Sequence, residues 1–372
     1  MLAGTSPARP RPTARVWWLL APLLLASAVA QPKESPSEAV RTQAQQYVDD
    51  GKPMPARKLL KAELQRLRER ARGAAGPAAE VAEGGSDIPY LRLGTSEAQG
   101  AAELLADLAG VYQRLGQQAE ALAVLEESAE IWRAQFGEGH PRYGMALDRL
   151  ADAHVQNKNF ATAMELYSKL LHAMRSGLGR AHPGYQVTLR KLADTAKAAG
   201  KPKSNVRAYA ELIELMESQP PDSGTTGAAG GPGGFAGGGA SGGRPDGEAS
   251  AAAAAAESAS ALAGTRVQYA LALASSGNLL DGLRQAELAR DAYAESSATR
   301  GTLDHAMSMN GVAGILEKTG RYDEAIQAMG EAYEMTEKLT GLEPGMLEGA
   351  KRNLEGMKAH IARKRMRESK EL

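Results

Sequence analysis

Six histidines and no cysteine make up the whole stock of imidazole and thiol chemistry in this 372-residue chain. Without a thiol there is no disulfide, no thiolate nucleophile and no cysteine-based zinc site. Two of the histidines recur in one phrase. It reads Phe136-Gly137-Glu138-Gly139-His140-Pro141, then Leu178-Gly179-Arg180-Ala181-His182-Pro183, with the two His-Pro pairs 42 residues apart. Metal binding or general-base work would need further ligands or a nucleophile nearby, and no predicted helix carries two histidines. His172 follows His140 by 32 residues and falls on a different helix. There is no His-Glu-x-x-His and no Gly-x-Ser-x-Gly elbow, and the glycines of 230–243 lack the Lys-Ser/Thr that would catch a phosphate. These residue types point to a non-enzymatic chain with no metal and no cofactor, in which His140 and His182 are turn residues.

The elements that hold these residues follow from the same phrase. Glycine after an aromatic or a leucine suits the left-handed residue that ends a helix. Proline suits the first turn of the next helix, where its missing N–H is not needed. Gly-x-x-His-Pro is then a stop followed by a start. Leu150-Ala151 and Leu192-Ala193 keep the 42-residue offset, as do Tyr167 and Tyr209. A fixed period of this size marks a repeat array, each unit a hairpin that cannot bury its apolar face alone.

Composition agrees with helices: alanine, leucine, glutamate and arginine are abundant and β-branched residues few. Residues 1–30 read as a secretory signal peptide. Arg9, Arg11 and Arg15 precede the apolar run Val16–Ala26, and Ala28-Val29-Ala30 offers a cleavage site before Gln31. An uncleaved anchor and a mitochondrial or plastid presequence are the alternatives. Removal of this leader leaves 41 basic and 44 acidic residues, no field for nucleic acid. Asp222–Gly247, dominated by Gly, Ala, Ser and Pro, has too little apolar surface to offset chain entropy and reads as disordered.

The expected order is a leader (1–30), an N-terminal helical hairpin (31–72), a loop (73–95), repeats (96–218), a Gly-rich disordered linker (219–248), further repeats (249–342), and a capping helix with a basic tail (343–372). Ser35-Pro36-Ser37-Glu38 is a capping box that opens the first helix. The hairpin turns fall at Gly51, Gly116, Lys158, Gly200, Gly277 and Gly320, spaced 65, 42, 42, 77 and 43. The two long intervals carry the loop and the linker as insertions into one array. Leu347, Ala350, Leu354, Met357 and Ile361 fall at helical spacing in the last helix, whose Lys358–Lys370 run is basic.

Each hairpin follows one template. Leu105, Leu108, Ala109, Tyr112, Gly116, Ala121 and Leu125 set it, and Met309, Val312, Ala313, Leu316, Gly320, Ala325 and Met329 repeat it most cleanly, inside a Gly-Arg-Tyr-Asp-Glu-Ala phrase. This pattern resembles the tetratricopeptide repeat. The His-Pro phrase, the period above 34 and Asn310 before Gly311 resemble the kinesin-light-chain subtype of that family. The resemblance implies an all-α solenoid of about six hairpins whose first helices line a groove for another protein or an extended peptide. The groove positions it implies are Asp148, Asp152, Arg190, Asp194, Lys197, Asn310 and Glu317. Gln43 and Arg266 stand where the template expects apolar side chains. The expected function is a partner-binding scaffold in the secretory pathway, with an organellar assembly factor of the same fold as the alternative.

Overall fold

The computed structural model describes residues 35–74, 88–218, 248–296, 299–339 and 341–371. The leader and nearly all of the Gly-rich linker lie outside the described residues. Among the described residues the fold is all-α, with thirteen α-helices and one short 3₁₀ turn. No helix among them is long and apolar enough to cross a membrane. The chain divides into two compact units between Leu115 and Gly116.

The first unit holds α1 (Pro36–Asp49), α2 (Pro53–Ala74), the 3₁₀ turn (Pro89–Arg92) and α3 (Thr95–Arg114). Ser35 caps α1 by accepting the Glu38 N–H at 3.2 Å, as the capping box predicts. Ala44 and Val48 are buried and Gln43 is exposed. The small template position is therefore kept in the first repeat, and the large one is given up. Part of the segment expected to be loop is also packed. The Tyr90 ring is buried, its hydroxyl donates to the Leu64 carbonyl at 3.4 Å, and Arg68 lies over it at 5.4 Å. A large aromatic next to Leu91 and Leu93 supplies the apolar area that the preceding glycines and alanines lack.

The second unit runs α4 (Gln118–Phe136), α5 (Pro141–Gln156), α6 (Phe160–Gly177), α7 (Pro183–Ala198), α8 (Pro202–Ser218), α9 (Glu248–Ser275), α10 (Leu279–Glu295), α11 (Leu303–Lys318), α12 (Tyr322–Lys338) and α13 (Pro344–Glu371). Each packs on the next in sequence, and α5/α6, α7/α8, α9/α10 and α11/α12 are the hairpins. Their turns repeat one hydrogen-bond pattern. At the end of α7 the Gly200 N–H donates to Lys197 O at 3.1 Å and the Lys201 N–H to Ala196 O at 2.9 Å. The same pair of bonds recurs around Lys158, Gly277 and Gly320. This double bond needs a left-handed residue at its centre. Lys158 takes that place with φ 60°, while Gly200, Gly277 and Gly320 have φ 66°, 93° and 82°.

The position five residues after each turn is where the two helices touch. In the four hairpins of this unit Ala163, Asn205, Gly282 and Ala325 stand there. At Gly282 even a methyl group would sit 3.0 Å from the Ala270 carbonyl oxygen, so α9 and α10 approach more closely than alanine allows. The apolar core of α9–α13 runs through Ala270, Leu283, Met309, Val312, Leu316 and Met329 to Met357 and Ile361 of α13. The last helix thus closes the core as a cap. Arg266 is mostly buried against the end of α8, paired with Glu217 at 2.6 Å, so its stem packs where the template expects an apolar residue.

Candidate partner-binding face

The first helices of the hairpins touch side to side through polar contacts. Lys191 on α7 reaches α5, its Nζ 2.8 Å from Asp148 Oδ1 and 2.8 Å from Asp152 Oδ2. Arg190 donates to Thr265 Oγ1 of α9 at 3.4 Å, and Lys197 to Gln268 Oε1 of α9 at 3.5 Å. A methyl group at Gly311 of α11 would lie 3.3 Å from Val267 of α9. His360 of α13 lies 3.4 Å from Glu317 of α11. Helices α5, α7, α9, α11 and α13 therefore form one continuous face.

Its acids are held from behind. The buried Tyr167 hydroxyl on α6 donates to Asp152, and that of Tyr209 on α8 donates to Asp194 at 2.8 Å. Both pairs span 15 residues, and the second lies 42 residues after the first. Burial and then the carboxylate push both phenols well above the ordinary tyrosine value, so both remain donors. Burial alone would pull the Lys191 ammonium down, but its bonds to Asp148 and Asp152 push it above the usual lysine value. One ammonium serves two carboxylates, and at Asp148 burial outweighs it and raises that carboxyl. The expected contact residues thus separate into two sets. Asp148 and Asp152 are joined by Lys191, Asp194 by Tyr209, and Glu317 lies beside His360. Arg190 and Lys197 are exposed and, among the described residues, have no carboxylate within ion-pair distance. Asn310 is half-buried on α11.

Several members of the face were not named from the sequence. Val187 and Met307 are 51% and 56% exposed, each two residues before the first template residue of its helix, Leu189 and Met309. The half-buried Met145 stands at the same offset from Leu147. That common offset was the available signal. Arg363 and Arg367, three and seven residues after His360, share its side of α13 and are exposed. In the sequence Lys191 stands only as the neighbour of Arg190. Among the described residues no group of three or more His, Asp or Glu side chains is placed to hold a metal ion.

Paired helices recurring every 42 or 43 residues, with polar side chains gathered on the row of first helices, define a helical-repeat scaffold. The tetratricopeptide repeat family matches residues 100–176 and again residues 305–344, so the chain carries tetratricopeptide repeats in these two stretches. Its repeats are long, with a 42-residue period, and α5 and α7 each open on a His-Pro pair. Among known proteins, the RxLR effector protein SFI4 of Phytophthora infestans (strain T30-4) is 22% identical over 259 residues, 70% of this chain and 66% of its own length. The secreted RxLR effector protein RXLR-C07 of Plasmopara halstedii is 25% identical over 259 residues, 70% of this chain and 69% of its own. The chain spans about two thirds of the length of these relatives. Solved structures that resemble it include the kinesin-light-chain TPR-like repeats of Podosopora anserina, with TM-score 0.48, 17% identity, and 65% of this chain and 98% of that one covered. BtubC of P. vanneervenii has TM-score 0.43 and 14% identity, covering 78% of this chain and 94% of its own.

Proposed function

We propose that this protein-interaction scaffold binds an extended, acidic segment of another polypeptide across α5–α13, and that it does so in the secretory pathway. One observation carries the first part. The acids of the face are engaged from within by Lys191, Tyr209 and His360, while the cations Arg190, Lys197, Arg363 and Arg367 lie open. Val187 and Met307 add exposed apolar anchors. A partner with alternating acidic and aliphatic side chains in extended form satisfies both sets.

The test is fluorescence anisotropy with an extended peptide of alternating Glu and Val, and a Lys/Val peptide as control. The double variant Arg190→Glu, Lys197→Glu weakens the acidic peptide by about tenfold, and salt weakens it too. The circular dichroism spectrum stays the same, because both side chains are exposed. Equal binding of the lysine peptide, or no loss in the double variant, sinks the reading.

The secretory part rests on Arg9–Ala30 as a leader, and the name of the Plasmopara relative, a secreted effector, agrees with it. Mass spectrometry of a C-terminally tagged chain finds a mature end at Gln31 if it is right. A chain cut elsewhere, or uncut, removes it.

A further inference from the structure

Three turns that join one hairpin to the next share a device. His140 sits before α5, and its Nδ1 accepts the Arg142 N–H at 3.2 Å. His182 does the same before α7, accepting the Gly184 N–H at 3.1 Å. In the turn before α11, Nδ1 of the buried His305 accepts the Gly301 N–H at 3.2 Å, while Thr302 caps the helix. In each case the ring nitrogen is an acceptor for a backbone donor at a helix start, and an imidazole accepts only when that nitrogen carries no proton. The arrangement also fixes the tautomer, with the proton on Nε2.

We propose that His140, His182 and His305 form a proton-sensitive lock on the stacking of the hairpins: neutral, they tie the entry turns of α5, α7 and α11, and protonated, they release all three. A protonated ring loses the acceptor. It also sets a positive charge against the positive end of a helix dipole. At His305 the folded chain therefore binds fewer protons than the unfolded chain, and stability falls as pH falls through the histidine range. Burial, then Arg300 and Arg290, holds His305 below the ordinary histidine value, so its contribution is whole above about 6.5 and is lost as pH drops below that.

The surrounding charges differ from turn to turn. At the His140 turn, Glu130 and Arg133 of α4 and Glu138 act on Tyr143 of α5, and Arg142 lies over Trp132. Trp132 and Phe136 of α4 lie against the His140 ring, at 6.0 and 4.7 Å between centroids. At the His182 turn, Arg175 of α6 and Arg180 pair with Glu211 of α8, Arg180 also with Glu214, and the Tyr185 hydroxyl of α7 donates to Glu211. Both glutamates are already paired with arginines. Around His305 are Arg290 and Tyr293 of α10, Arg300 in the turn and Asp304 of α11.

The experiment compares thermal unfolding of the full chain at pH 7.5 and pH 5.0 with that of the triple variant H140N/H182N/H305N. Asparagine Oδ1 stands where Nδ1 stood, accepts the same N–H and does not titrate in this range. The wild-type Tm drops by about 6 °C between the two pH values, and the triple variant loses less than a third of that. An equal drop in the variant overturns the proposal, because carboxylates elsewhere then carry the pH effect. Should the variant fail to fold, imidazole nitrogen shifts of the wild type at pH 7.5 decide. Proton on Nε2 in all three rings supports the lock, and proton on Nδ1 in any of them breaks it.

Discussion

The hairpins α5–α8 and the hairpins α9–α12 are built on one backbone template and hold their helices together by opposite means. In the first pair, Asp152 and Asp194 on the first helices are gripped by Tyr167 and Tyr209 on the second. At the equivalent places the second pair has Leu271 with Ala286, and Gly314 with Met329. Where Lys191 ties α7 to α5, Gly311 lets α11 lie against Val267 of α9. The repeat therefore fixes the path of the chain but not the chemistry of its seams. Polar seams hold charged side chains in place on the binding face, and apolar seams allow closer helices.

The largest test of this contrast is Lys191→Met. It leaves Asp148 and Asp152 facing each other, half-buried and uncompensated, and costs about 2 kcal/mol at pH 7 in urea unfolding. The loss shrinks toward pH 5 as the crowded carboxyls take up a proton. A variant as stable as the wild type shows that the ion cluster contributes nothing net.

A smaller effect of opposite sign is expected at Asn205, where the other hairpins of the second unit have alanine or glycine. Its side chain is 3% exposed and its Oδ1 has no partner. Asn205→Ala removes that buried acceptor and stabilises by about 1 kcal/mol. A loss of stability means the amide N–H groups contribute more than the orphaned oxygen costs.

The smallest is Lys158→Gly. Lys158 alone among the described non-glycine residues has positive φ, at the turn position filled by Gly277 and Gly320 in the other pair. Relief of the left-handed strain exceeds the added freedom of the unfolded chain, for a net gain of about 0.5 kcal/mol. A midpoint moved the other way places the lysine side chain in a contact that offsets the strain.

Much of the fold was legible because it rests on local signals. Gly137 and Gly179, read as left-handed stops, both have φ 82°, and Pro141 and Pro183 both begin helices. The leucine and alanine template positions are buried, as at Leu147, Ala151, Leu189 and Ala193. The candidate site was only half legible. Its residues lie on the first helices as expected, but which charges are engaged depends on pairs far apart in sequence. The reach of Lys191 across 43 residues to Asp148 is one, and the approach of His360 to Glu317 is another. Tyr167 and Tyr209 were noticed as a repeat, yet that offset cannot say where a hydroxyl points. His140 and His182 were read as turn residues, and only the geometry makes them caps.

The uniform turns have one more consequence. Each hairpin turns on the same geometry as the one before it, whatever the chemistry of its seam. A segment such as 158–199 therefore behaves as a cassette, able to be copied or lost whole between one left-handed turn and the next. On the function proposed above, the number of cassettes measures out how long a partner segment the face can read, much as marks on a ruler set the span it can gauge.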